Sequence, residues 1–142
     1  MLTKSIVAAC FGLLVANASA QCATLAVTGT GAPGTSLQFQ FDGSANPALV
    51  ILAVSQTQGT TTYGPITLGL ATPILPIPIG FANATGDVTR SISVPSTATL
   101  SLDLFAQGLS AAWTFTMPGP TTPGGFSVSF CASNVVPFHV GV

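Results

Sequence analysis

Beyond residue 20 this chain offers very few side chains able to move a proton, bind a metal or attack a bond. Asp42, Asp87 and Asp103 are the acids, Arg90 is the cation, His139 is the imidazole, and Cys22 and Cys131 are the thiols; glutamate is absent throughout. Acid–base, nucleophilic or metal-assisted catalysis needs several such groups gathered in one pocket. Asp87, Arg90 and Asp103 form the best candidate for a catalytic or ligand-clamping cluster. The simpler expectation is that Arg90 sits at a rim or partly inside and pairs with one of the aspartates, because a buried lone guanidinium is very costly. His139 falls opposite the apolar parity of the last strand and is expected at the surface. No serine has a recognisable triad, since there is one histidine and its acidic partner is not identifiable. The chain is therefore expected not to be an enzyme.

Binding chemistry is equally constrained. Asp42-Gly43-Ser44 and Thr85-Gly86-Asp87 read as turns before they read as calcium ligands, because calcium takes about six or more oxygens and usually several carboxylates. Two cysteines and a distant His139 do not make a zinc set. No glycine-rich phosphate loop follows a strand and opens a helix. With one arginine against three aspartates there is no basic patch for nucleic acid. No cofactor, metal or nucleic-acid partner is expected. Asn83-Ala84-Thr85 matches the glycosylation sequon.

The thiols suit a different task. Residues 1–20 have the three parts of a secretory leader: Lys4, an apolar run over residues 6–15, and the small-x-small site Ala18-Ser19-Ala20. Cleavage is expected between Ala20 and Gln21, leaving residues 21–142 as one domain with no transmembrane segment. A lipobox reading of Val7-Ala8-Ala9-Cys10 would leave a truncated apolar run. Cys10 departs with the leader. Cys22 and Cys131 are then expected to form a disulfide in an oxidising compartment. Closing a loop of about 100 residues stabilises by on the order of 4.7 kcal/mol in the chain-entropy argument. Extracellular, cell-surface and periplasmic locations all satisfy these features.

The elements that would position these side chains are short alternating runs punctuated by Gly, Pro, Asn and Thr, the pattern of an all-β domain. Residues 22–28 begin it. Residues 36–42 place Leu37, Phe39 and Phe41 inward and Gln38, Gln40 and Asp42 outward. Residues 48–54 are apolar on both faces and read as a central strand. Residues 66–70 are a weaker strand. In residues 73–81, Pro76 and Pro78 remove donors from one side, which predicts an edge strand. Residues 88–94 place Val88, Ile92 and Val94 inward. Four further runs follow: 100–106 with Leu100, Leu102 and Leu104 inward, 112–117 with Trp113, Phe115 and Met117, 126–131 with Phe126, Val128 and Phe130, and 135–142 with Val136, Phe138, Val140 and Val142. About eight or nine such strands predict a two-sheet antiparallel β-sandwich of immunoglobulin-like form, with Trp113 in its core. An outer-membrane barrel would want a polar lumen and girdles of Tyr and Trp; the chain has one of each and 11 prolines, which argues for the sandwich.

Gly31-Ala32-Pro33-Gly34, the strand 48–54, the Pro/Leu/Ile-rich segment 66–80, Leu104-Phe105-Ala106-Gln107 and Ser133-Asn134 occur in that order. This series resembles the β-sandwich domains, often C-terminal, of large secreted and surface proteins of planctomycete-type bacteria. The resemblance implies a β-sandwich and no particular activity. Such domains usually follow longer partners, whereas here a leader precedes the domain directly.

Only 4% of the residues are charged and 48% are hydrophobic, so little repulsion keeps copies apart. Some outward positions, such as Phe105 beside Asp103, must be apolar and favour association. The expected function is a non-enzymatic, secreted structural or adhesive surface domain that associates with itself or with envelope or matrix components. The alternative is a small carbohydrate- or ligand-binding sandwich using Tyr63, Trp113 or Phe105 as an aromatic platform.

Overall fold

The computed structural model describes residues 21–43, 48–83 and 85–142. The expected leader with Ala20 of its cleavage site, Ser44 of the first turn and Ala84 of the sequon lie outside them. Among the described residues there are nine strands and no helix. They are β1 (Gln21–Thr28), β2 (Ser36–Asp42), β3 (Ala48–Ser55), β4 (Gln58–Tyr63), β5 (Ile66–Leu70), β6 (Leu75–Phe81), β7 (Val88–Ser93), β8 (Ser101–Thr116) and β9 (Gly125–Gly141). The all-β expectation holds.

The finer expectation, two sheets in an immunoglobulin-like sandwich, is not clearly met, because the large sheet comes close to a barrel. Seven strands form one sheet in the order β6-β3-β8-β9-β1-β2-β7, and β4 and β5 form a separate hairpin. All seven-strand pairings are antiparallel except β1 with β9, which is parallel. The opposite edges of this sheet, β6 and β7, are consecutive in sequence. In a flat sheet they would stand about 29 Å apart at the usual strand spacing. Yet at the junction between them Gly86 N–H donates to the Asn83 carbonyl at 2.9 Å and Asn83 N–H to the Asp87 carbonyl at 3.1 Å. The sheet must therefore curl until its edges approach, and a Cβ built on Gly80 would lie 3.7 Å from Val88 Cγ1. No ladder closes this seam among the described residues.

Curling puts one face of the sheet around its own core. Leu25, Leu37, Phe39, Phe41, Val50 and Leu52 fill the interior with Ile79 and Val88. Phe39 meets Phe138 of β9 edge to face at 5.3 Å. Phe41 reaches across to Gly108 in β8, where any Cβ would collide with the phenyl ring. The outer face of β3, β8 and β9 carries a second, smaller cluster beneath the β4–β5 hairpin: Ala53, Leu68 and Leu70, with Ile66, Phe105 and Val135 packed against them. Phe105 is thus covered rather than presented to solvent. The strand β4 is not legible from the sequence, because Gln58-Gly59-Thr60-Thr61-Thr62 has no apolar alternation.

Several strands match their sequence pattern. The Leu37, Phe39 and Phe41 row is buried against exposed Gln38, Gln40 and Asp42. The β3 strand is central, flanked by β6 and β8. The proline-bearing β6 is an edge, pairing with β3 alone.

The second half differs in a way that matters. The runs 100–106 and 112–117 belong to one 16-residue strand, β8, and the runs 126–131 and 135–142 to one 17-residue strand, β9. Between Gln107↔Val135 and Leu109↔Ala132 the register shifts, so Ser133-Asn134 lie opposite Gly108 alone. This is a β-bulge, and one extra residue inverts the pleat that follows. Val136, Phe138 and Val140 pack against the main core. Phe126, Val128 and Phe130, of the same parity, therefore face the other way and are exposed. Their partners across β8 are Phe115, Trp113 and Ala111, so the expected inward placing of Trp113, Phe115 and Met117 is also overturned. Leu100 and Val142 sit at the open end of the sheet and are exposed as well.

The bulge is held by a buried polar network. Ser133 Oγ accepts from Gly108 N–H at 2.8 Å and donates to the Asn134 carbonyl at 2.8 Å. Asn134 Oδ1 accepts from Leu25 N–H at 2.8 Å and its Nδ2 donates to the Leu25 carbonyl at 3.2 Å, so a side-chain amide continues the β1 ladder where the β9 backbone has swung away. Gln107 Nε2 donates to the Ser133 carbonyl, and Gln107 Oε1 accepts from Gly69 N–H, each at 2.8 Å; this couples β8 and β9 to the covering hairpin. Every one of these groups is polar and shielded, and each finds a partner, as a buried network requires.

Candidate functional site: an uncharged apolar hairpin arm

The structure separates the ionisable residues rather than gathering them. His139 Nδ1 meets Asp103 Oδ1 at 2.8 Å across the β8–β9 ladder, where the two residues are direct partners. His139 Nε2 lies 3.3 Å from the Val142 carbonyl. Two acceptors on one ring are both satisfied only by the imidazolium, and the Asp103 hydrogen bond, followed by the Val142 carbonyl, raises the His139 pKa above its ordinary value. Neither ring nitrogen is left to take a proton from a nucleophile.

Asp87 does not join Asp103 but faces Asp42 at the ends of β7 and β2. The hydrogen bond between the two carboxyls comes first, then their repulsion, in raising the Asp42 pKa; the same bond, with one from Thr85 Oγ1 at 2.9 Å, lowers that of Asp87. Asp87 Oδ1 is shielded from solvent and has no hydrogen-bond partner among the described residues. Asn83 Oδ1 accepts from the backbone N–H groups of Thr85 and Asp87, as in an Asx turn. Arg90 is exposed in β7, and the ion pair expected with an aspartate is not formed; among the described residues the one ion pair is His139–Asp103. No group of three or more His, Cys, Asp or Glu side chains that could hold a metal occurs among the described residues.

Cys22 and Cys131 form the disulfide expected from the sequence, with Cα atoms 5.7 Å apart and 109 residues between them in sequence. Its position is informative. It fixes the start of β1 to β9 beside the parallel pair Gln21↔Ala132, the last point at which β9 has a neighbour on that side. On the other side, β3 ends its pairing with β8 at Ala48↔Ala112. From there the β8–β9 hairpin continues through Trp113↔Val128 and Phe115↔Phe126 to Thr116↔Gly125. Among the described residues no strand pairs with either edge of this arm.

The arm is strictly two-faced. Thr114, Thr116, Ser127 and Ser129 line one side. Trp113, Phe115, Phe126, Val128 and Phe130 line the other, with Met117 beyond them. Phe115 is 66% exposed, Met117 74%, Phe126 64%, and Val128 and Phe130 44% each. Trp113 is half-buried because Phe81, itself exposed, packs edge to face on it at 6.2 Å. Residues 104–138 contain no Asp, Glu, Lys, Arg or His. The arm thus presents a continuous uncharged apolar surface, on the same side of the sheet as the β4–β5 hairpin. A cleft of about 100 Å³ marks the junction, lined by Pro65, Ile66, Thr67, Leu109, Phe130, Cys131 and Ala132. It is small beside ligand pockets, which run about 300–1,000 Å³.

The three aromatic residues considered as a sugar platform are dispersed: Phe105 lies under the β4–β5 hairpin, Tyr63 is exposed at its turn, and Trp113 is on the arm. The sequence signal for the arm was Trp-Thr-Phe-Thr-Met facing Phe-Ser-Val-Ser-Phe across the Pro/Gly-rich segment 118–124. Its alternation correctly marked two faces, but alternation alone assigns neither face to the core. Comparison with protein-family models, with curated proteins and with solved structures finds no match to this chain.

Proposed function

We propose that this chain is a non-enzymatic, exported β domain that works by association, as a structural or adhesive component joining copies of itself or larger envelope and matrix material. The observation that carries this reading is the apolar face of the β8–β9 arm. Water-exposed aromatic and aliphatic side chains in one contiguous patch mark interaction surfaces in folded proteins. The near-absence of charge supports the same reading, since neither repulsion nor a charged rim opposes contact. Export is supported by the leader pattern of residues 1–20 and by the Cys22–Cys131 bridge, which persists in oxidising surroundings.

The test combines light scattering of the oxidised protein at rising concentration with co-sedimentation on isolated envelope material. Association that survives high salt is expected, because the contact is apolar. A protein that stays monomeric and unretained in both assays overturns the reading.

Carbohydrate binding is the second reading, favoured by the partial exposure of Trp113 beside Phe81. The arm face lacks the amides and acids that orient a sugar. A shift of Trp113 fluorescence on adding soluble polysaccharide would support it.

A further inference from the structure

Resting on the associative reading above, we infer that the occupant of the arm's apolar face is a second copy of this chain, with the two arms packed face to face about a two-fold axis. Four observations select this occupant. The first is area. Taking about 150–250 Å² for a fully open large side chain, the exposures of Phe115, Met117, Phe126, Val128 and Phe130 correspond to about 400–700 Å² on one arm. Two such faces pressed together remove about 800–1,400 Å² from water, a range centred near the roughly 1,000 Å² a specific interface requires.

The second is charge. An isologous contact brings each residue near its own counterpart, so any charge on the patch would meet its like. Residues 104–138 have none, and both His139–Asp103 and Asp42–Asp87 lie off the arm. The same lack of cationic residues removes the usual attraction to an anionic lipid surface. The third is length. Pairing continues four residues past Ala112 on β8, to Thr116, about 13 Å of strand and short of the roughly 30 Å needed to span a bilayer core.

The fourth is the form of the patch. The two-stranded arm gathers its large apolar side chains on one face, and its other face is Thr and Ser. A two-stranded ribbon is marginal alone, and stacking a second apolar sheet face on it about 10 Å away is the ordinary remedy. Edge-to-edge pairing of arms would satisfy backbone groups but leave the aromatic face wet. Face packing is what the exposed side chains require, and it would seat Phe81 and Trp113 at the rim of the contact.

Sedimentation equilibrium of the oxidised full chain tests this, alongside the double variant Phe115→Ser/Phe126→Ser and the control Thr114→Asp on the polar face. Because all three positions are exposed, circular dichroism and thermal melting of the monomeric fold should be retained. The wild type is expected to dimerise and the double variant to dissociate at least about 30-fold more readily, as for loss of a central aromatic anchor, with Thr114→Asp near wild type. Trp113, the sole tryptophan, should shift to the red on dilution with the same midpoint as dissociation. A dimer whose strength the double variant leaves unchanged overturns the arm contact while leaving the associative reading in place. A wild type that is monomeric at all concentrations overturns the second copy as occupant. If that monomer is then taken up by uncharged phosphatidylcholine vesicles with a blue-shifted Trp113, a lipid surface holds the face instead; if it is retained by envelope material, another macromolecule does.

Discussion

His139 shows how far a single residue can be read. Its place at the surface follows from the alternation of the last strand, but its partner follows only from the β8–β9 register that sets it opposite Asp103. The consequence is a pH dependence of definite sign. A histidine whose folded pKa is raised contributes stability that is fully present below the unfolded value of about 6.5 and is lost as pH rises through the folded value. Asp103→Asn should return the His139 pKa toward 6.5 in an NMR titration and flatten this part of the stability profile. Asp42 and Asp87 should titrate as a pair in two steps. Asp42→Asn removes their repulsion, so the variant should melt higher than wild type at pH 7, with the gain vanishing once both wild-type carboxyls are protonated in acid. The buried amide of Gln107 belongs to a different class, because Gln107→Leu would strand Gly69 N–H and the Ser133 carbonyl. The expected loss is about 1–3 kcal/mol in chemical denaturation.

Strands are where sequence and structure part company. In β2 the apolar period, the burial and the register agree because nothing interrupts the pleat. In β9 the period is unbroken in the sequence on both sides of Ser133-Asn134, yet the bulge turns the two halves toward opposite faces. Nothing in a parity count records an inserted residue; the hint was the adjacent polar pair Ser133-Asn134 between two alternating runs. Asn134→Ala should cost about 1–3 kcal/mol by leaving both polar groups of Leu25 without partners. Gly108→Ala should cost a similar amount by overpacking, since the new methyl meets the Phe41 ring directly opposite the bulge. Both variants should also disturb Trp113 fluorescence, because the bulge sets which face the arm presents.

At the scale of the whole molecule, the disulfide and the curl do complementary work. The parallel contact between β1 and β9 is short and irregular, with paired positions at Gln21↔Ala132 and Ala23↔Ser133 separated by a register shift. It is nonetheless the seam that joins the β6-β3-β8-β9 half of the sheet to the β1-β2-β7 half. The Cys22–Cys131 bridge spans this seam at its register shift. Replacing both cysteines with serine should lower stability by about 2–5 kcal/mol, measured by denaturant titration against the oxidised protein. The same loss should appear on reduction, and it should leave the exposed arm's own side-chain environment largely as it was.

The amino-acid sequence by itself determined the β class, the edge character of β6, the central place of β3, the cysteine pairing and the scarcity of ionisable groups. These follow from local period, proline chemistry and composition, which need no knowledge of distant neighbours. Only the tertiary structure decided that seven strands join in one strongly curled sheet, that the β4–β5 hairpin covers Phe105, and that the aromatic rows of the last hairpin face water. Alternation tells which residues share a side; what lies against that side depends on contacts between elements far apart in the chain, and on a bulge that reverses the sides midway.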